Sequence, residues 1–395
     1  MFFKKMMNRQ QLLGLCIAVT ILFLDMLLYS LIIPMIPYLT KTLGASSTMI
    51  GLLVSSYAIG LLILTPLFGP LSDRIGRKIP LIFGLTVLII STLLFSFAHT
   101  IPALIAARFI QGVAAAANVS AALALIADLF PKKVRGTMMG IAVTGISIGL
   151  LLGAPIGGSL FDAGGYMMPF LVIAGITLAI LLIILFTLTE PSHNKEKTTS
   201  AFTFLRNPMV IFVILVVLLS EAAVSLLEPV LPVFLTDQLH LSASTVGLLF
   251  GAMSLSYGLV SPLSGALSDR FHPFVIMLIG LAWSAVTIPL MIVSKTLWQE
   301  AGAMILVGAG VGFALSPTLG SLGKVVDREG SSSYGAAYSL FNIFDSIGMM
   351  LGPLIGGVLA DLLTVKASML VVSVTLLIFV ALLSGMLKIR RERII

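Results

Sequence analysis

Long apolar runs recur from one end of this 395-residue chain to the other, and they restrict its fold more than any other feature. A helix rises about 1.5 Å per residue, so about twenty apolar residues cross a hydrocarbon core of about 30 Å. Twelve such runs fit, at roughly 11–39, 47–70, 79–98, 102–127, 137–160, 167–188, 209–235, 245–267, 273–293, 298–323, 334–360 and 364–387. Charged residues make up only 10% and mean hydropathy is +1.14, so water cannot be the main solvent of the fold. The expected class is an all-α membrane protein with twelve transmembrane helices.

The first run follows Lys4, Lys5 and Arg9, as a signal peptide would, but its length and its Asp25, Pro34 and Pro37 do not suit one. Cys16 is the only cysteine, which excludes an intramolecular disulfide and argues against redox chemistry. The net charge of +7 would suit a nucleic-acid binder, but its distribution does not. Of the 23 lysines and arginines, only Lys41, Lys295 and Lys366 fall in loops opposite the N-terminus, and Arg108 lies within a run. The others occupy the N-terminal side. Such asymmetry places both termini in the cytoplasm and supports an even number of spans. The expected setting is the inner or plasma membrane, with the bilayer as partner and no nucleic acid.

A repeat divides the chain. Pro66-Leu67-x-Gly69-x-Leu71-Ser72-Asp73-Arg74 recurs as Pro262-Leu263-x-Gly265-x-Leu267-Ser268-Asp269-Arg270, and Pro34-x-x-Pro37 recurs as Pro229-x-x-Pro232. The longest polar stretch, 190–208, lies midway and reads as a cytoplasmic linker. Two pseudo-symmetric six-helix halves, 1–189 and 209–395, are therefore expected. Parallel repeats of this kind are one known transporter architecture, with the substrate site near the bilayer midplane.

The chemical candidates are the ionisable residues inside the runs: Asp25, Arg108, Glu221, Glu228 and Asp345. Each costs roughly 2.5–3.5 kcal/mol on insertion scales, so each should face a cavity or a partner. Glu221 and Glu228 are seven apart and share a helix face. Pro229 removes a donor and frees the Ser225 carbonyl, which would open the helix beside Glu228. The alternative for each acid is a neutral carboxyl bonding between helices. Buried acids outnumber buried bases, favouring a cation over an anion as cargo. No nucleophile constellation, phosphate-cradling loop or His/Cys cluster occurs, so neither an enzyme nor an ATP-driven pump is expected.

Gly69-Pro-Leu-Ser-Asp73-Arg74-Ile-Gly76-Arg77-Lys78 resembles the signature loop of the major facilitator superfamily. Its glycines permit a tight turn, and Asp73 could pair with basic groups at neighbouring helix ends to latch one side shut. Asp128 is a candidate second partner for Arg74 or Arg77; the plainer reading is a basic anchor loop. In the fifth run, Gly149, Gly153, Pro155 and Gly157 resemble the glycine-rich motif of proton-coupled exporters, with close helix packing as the alternative. Within the superfamily the chain looks most like the drug:proton antiporter branch, and there like a bacterial relative of the vesicular monoamine transporters. The stretches around Asp25, Arg108, Gly149–Pro155, Glu228 and 338–353 carry that likeness.

The resemblance implies the major facilitator fold and export of small organic cations, monoamines or cationic drugs, in exchange for protons. No cofactor is implied beyond the proton gradient, and a monomer should suffice. Asp25 and Glu228 match the acids such proteins use around a cation, with Arg108 and Tyr257 as cavity residues. The lysine of the family's second span falls on Tyr57, and the acid of its eleventh on Asn342. Asp345 lies one turn further on, so Asn342 and Asp345 could relay a proton, with Glu221 nearby. The competing expectation is a facilitator or symporter for a neutral solute such as a sugar.

Overall fold

The computed structural model describes residues 7–190, 205–328 and 334–392. It contains twelve helices long and apolar enough to span a membrane. In chain order they are α1 (Arg9–Leu43), α2 (Ser47–Ile75), α3 (Lys78–Phe97), α4 (Ile101–Leu129), α5 (Lys132–Gly164) and α6 (Met167–Thr187), followed by α7 (Pro208–Leu239), α8 (Ala243–Arg270), α9 (Pro273–Val293), α10 (Leu297–Arg328), α11 (Tyr334–Leu362) and α12 (Val365–Glu392). Most of the expected linker, 191–204, lies outside the described residues. Outward-facing surfaces are apolar: Phe186 and Leu259 are 86% and 70% exposed, and only 17% of the most apolar stretch of α12 is buried. Such a face is stable against lipid.

Two compact units arise. In the first, α1 packs along α5 and α4, and α3 packs on α4 and α6. In the second, α7 packs along α11 and α10, and α9 packs on α10 and α12. The same helix order is thus used twice. Set beside the expected halves, the units exchange two short segments: Ser46–Ser55 belongs with the second and Ser242–Gly251 with the first.

Carboxylates hold these segments. In the second unit, Asp361 at the end of α11 accepts the N–H groups of Ser47 and Thr48 at 2.9 and 2.8 Å. In the first, Asp162 near the end of α5 accepts the N–H of Ser244 at 2.9 Å and also its hydroxyl. Each carboxylate satisfies helix N-terminal donors that otherwise lack partners and meets the positive end of the helix dipole.

Glycine sets how closely the helices approach. A Cβ added at Gly145, Gly149 or Gly157 of α5 would lie 2.3, 2.5 or 2.3 Å from a backbone oxygen of α1. Gly352 and Gly356 of α11 meet α7 in the same way. Backbone contact of this closeness provides the packing that drives helix association in lipid.

The two proline pairs behave differently. Pro34 and Pro37 accompany a real break: α1 narrows to a 3-10 turn at Ile33–Met35 before resuming at Ile36. Pro229 and Pro232 do not, because α7 is helical from Pro208 through Leu239. The expected opening beside Glu228 is therefore corrected. A helix can break inside a membrane only where something takes up the released carbonyls. At α1 that group is Arg108, which donates to Leu28 O and Tyr29 O. Residues 297–322 of α10 contain no arginine or lysine to do the same for α7.

Candidate functional site

Asp25 lies in the middle of α1 with no solvent exposure. The Asn118 side chain of α4 donates to its Oδ1 at 3.1 Å, while Oδ2 has no hydrogen-bond partner among the described residues. Nearby, Arg108 is 1% exposed and donates to Gln111 Oε1 at 2.7 Å, Tyr29 O at 2.7 Å and Leu28 O at 3.3 Å. Its guanidinium carbon lies 5.6, 6.0 and 5.8 Å from the ring centres of Tyr29, Tyr57 and Phe95, within cation–π range. Rings and carbonyls thus provide the desolvated charge with a fixed negative environment. A crevice of about 210 Å³, open solvent included, lies beside it, lined by Leu28, Ile32, Thr92, Phe95, Arg108, Gln111 and Phe170.

The second unit gathers the other acids. Glu221 and Glu228 stand on α7, and a Cβ at Gly348 of α11 would lie 2.8 Å from the Cβ of Glu221. Asp345, one turn before Gly348, and Glu228 both lie close enough to act on the Glu221 charge. Tyr257 of α8 lies within electrostatic reach of Asp345 and Glu221. Glu228 is 7% exposed, Glu221 and Asp345 are half-buried, and Asn342 is exposed.

The signature loop forms a cluster around Arg77. Gly76 makes the turn from α2 to α3 at φ +90°, a conformation glycine adopts without strain. Arg77, 4% exposed, donates to Asp128 Oδ2 at 2.6 Å, Asp73 Oδ1 at 2.7 Å and Ser72 Oγ at 3.0 Å. Burial opposes its charge, but the hydrogen bonds and charges of Asp128 and Asp73 outweigh that and push its pKa up. Of the two arginines expected for Asp128 it is Arg77 that pairs, while Arg74 is exposed, and Asp73 at the end of α2 pairs with the same Arg77, which caps the start of α3. The side chain of Asp269, its counterpart in the repeat, lies outside the described residues.

Sequence reasoning missed several participants. Glu190, placed at the start of the linker, accepts the N–H of Arg77 and, at 2.9 Å, that of Lys78, while Lys78 Nζ donates to Leu185 O at 2.9 Å. A Cβ on Gly76 would lie 2.4 Å from the Glu190 carboxylate, so this glycine makes room as well as the turn. Asn118 was hidden by its neutral side chain, although an amide at the centre of a twenty-nine-residue apolar helix is itself a signal. The glycine-rich stretch does what the plainer alternative required: Gly149, Gly153 and Gly157 seat α1, and Gly247 and Gly251 of α8 close on Ala154 and Pro155.

The Major Facilitator Superfamily model matches residues 18–220 and again 213–393. The chain is 32% identical to the chromaffin granule amine transporter of Rattus norvegicus over 322 residues, 80% of this chain and 61% of that protein. It is 29% identical to the synaptic vesicular amine transporter of Bos taurus, covering 81% of this chain and 62% of that protein. The chain therefore spans less than two thirds of the length of these amine transporters. It is 28% identical to the human MFS-type transporter SLC18B1, covering 90% and 82% of the two chains. Among solved structures, a bacterial homologue of the human lysosomal transporter Spinster superposes with a TM-score of 0.83 at 17% identity, covering 95% and 96% of the chains. At that identity the likeness carries the fold alone.

Proposed function

The chain belongs to the major facilitator superfamily, and from that premise we propose that it is a secondary antiporter that moves small organic cations outward as protons move inward. The observation that carries this reading is the Asp25 carboxyl, fully buried in a spanning helix with one oxygen unpartnered among the described residues. An acid held there needs a proton or a cation, and either can occupy Oδ2. The similarity to transporters named for amines supports a cationic cargo.

Competition for this carboxyl yields exchange. A proton arriving from the acidic side displaces the cation, and on the other side the cation displaces the proton. Where only a neutralised site permits the change of access, neither species crosses without the other, and the proton gradient drives the cation uphill. Glu221, Glu228 and Asp345, gathered in the second unit near Tyr257, supply further protonation sites. The Arg77 cluster with Asp73, Asp128 and Glu190 biases which side is open. Both termini and the 190–208 linker face the cytoplasm, as the charge asymmetry requires. The membrane is the cell or inner membrane.

The test is transport in proteoliposomes under an imposed pH gradient, with a panel of amines and neutral sugars as cargo. Gradient-driven amine flux that is lost in Asp25→Asn is expected. Sugar flux without amine flux, or amine flux that survives Asp25→Asn, would replace antiport with facilitated diffusion of neutral solutes. Cysteines at Lys41 and Lys195 should label from opposite sides of the membrane, and same-side labelling would overturn the topology.

A further inference from the structure

We infer that Asn118 is a positioning residue for the Asp25 carboxyl, holding Oδ1 so that Oδ2 alone is presented to the proton or the cation. This rests on the antiport reading above and deepens it. Asn118 is fully buried on α4, and its Nδ2 lies 3.1 Å from Asp25 Oδ1. An ionised carboxylate has only acceptors, so the amide must turn its NH₂ towards it. Asn118 Oδ1 is left without a hydrogen-bond partner among the described residues. A side chain placed for packing alone would not leave a buried acceptor unpaired, because that costs free energy and returns no contact.

Gly84 of α3 explains how the amide reaches its place. A Cβ there would lie 2.1 Å from Asn118 Oδ1 and 3.1 Å from Ala114 O. The missing side chain leaves just the space the amide oxygen fills, so three helices cooperate: α3 yields room, α4 supplies the donor and α1 carries the acid.

The other groups acting on Asp25 are few. Arg108 of α4 is engaged with Tyr29 O, Leu28 O and Gln111. Tyr57 of α2 lies within electrostatic reach of both Asp25 and Arg108. The Tyr29 ring of α1 lies 4.9 Å from that of Tyr57, tilted by 50°. Residues 79–97 of α3, 137–161 of α5 and 167–187 of α6 contain no ionisable side chain. The amide is therefore the one neutral group that bonds the carboxylate directly among the described residues, and its donor favours the ionised form over the protonated one.

The experiment is an infrared titration of the purified full-length protein, following the protonated carboxyl band that disappears in Asp25→Asn. In Asn118→Leu, which keeps the branched shape and loses the donor, the pH at which this band gives way to carboxylate should rise by about one to two pH units. Gly84→Ala, which displaces the amide from the neighbouring helix, should move it the same way and serves if Asn118→Leu does not fold. Binding of tetraphenylphosphonium, whose charge does not vary with pH, should show the same displacement of its pH profile, and Asn118→Leu should add nothing in an Asp25→Asn background. An unmoved band in both variants would overturn the assignment even where the unmutated protein exchanges cations for protons. A moved band with no pH-dependent cation binding in the unmutated protein would leave the assignment standing and overturn antiport instead.

Discussion

Replacing Arg108 with leucine tests whether this arginine holds the break in α1. The substitution strands three acceptors, Leu28 O, Tyr29 O and Gln111 Oε1, that the buried guanidinium now satisfies. A buried acceptor left without a partner costs about 1–3 kcal/mol, so the three together cost about 6 kcal/mol at the middle of that range. Against this stands the relief of no longer burying a charge, roughly 3 kcal/mol on insertion scales. The net loss is about 3 kcal/mol. For a chain of this length that corresponds to a fall of a few degrees in apparent melting temperature. Differential scanning fluorimetry in detergent reads it directly. Arg108→Lys, which returns the charge as a point donor without the planar fork, should recover only part of the loss. The sharper readout is hydrogen exchange at Ile32 and Ile33, which should quicken in Arg108→Leu as the 3-10 turn loses its support. An Arg108→Leu protein that melts within about a degree of the parent, with exchange at the turn unchanged, would refute the argument, because it would show that the carbonyls of Leu28 and Tyr29 find partners without the guanidinium.

Asp162→Asn and Asp361→Asn should each lower stability by about 1 kcal/mol, the usual worth of an N-terminal cap, and the double variant by about the sum; a double variant as stable as the parent would deny the caps any role. Gly153→Ala should disrupt packing of α5 on α1, since its Cβ would lie 2.0 Å from Ser30 Oγ and 2.5 Å from Leu27 O, whereas Gly175→Ala, with nothing within 4 Å, should be silent by yield and melting temperature. Gly76→Ala should slow turnover and lower stability by about 1 kcal/mol or more, because it strains a φ of +90° and displaces Glu190; Glu190→Gln, which keeps an acceptor without the charge, should be milder, and equal effects would mean the turn alone matters.

Elements defined by local composition were legible, and elements defined by cross-helix partners were not. The twelve spans, the repeat at Asp73 and Asp269, and the buried acids stand out because each is a departure from its own neighbourhood in sequence. Asn118 and Glu190 escaped notice for opposite reasons: a neutral amide raises no charge signal, and an acid at the start of a polar stretch looks solvated. Glu300, near the start of the tenth run, was not singled out among the acids, yet the fold buries it completely.

The proline pairs show where this boundary lies. Pro34-x-x-Pro37 and Pro229-x-x-Pro232 are alike in sequence, and both withdraw backbone donors from a helix in lipid. Sequence alone therefore determined that the chain spans a membrane twelve times as a repeated structure, because apolar length and backbone saturation are properties of each segment by itself. Which helix breaks, which carboxyl oxygen stays open and which arginine is held by Asp128 were decided only by tertiary structure, because each depends on whether a partner from a distant part of the chain arrives to satisfy a group that water cannot reach.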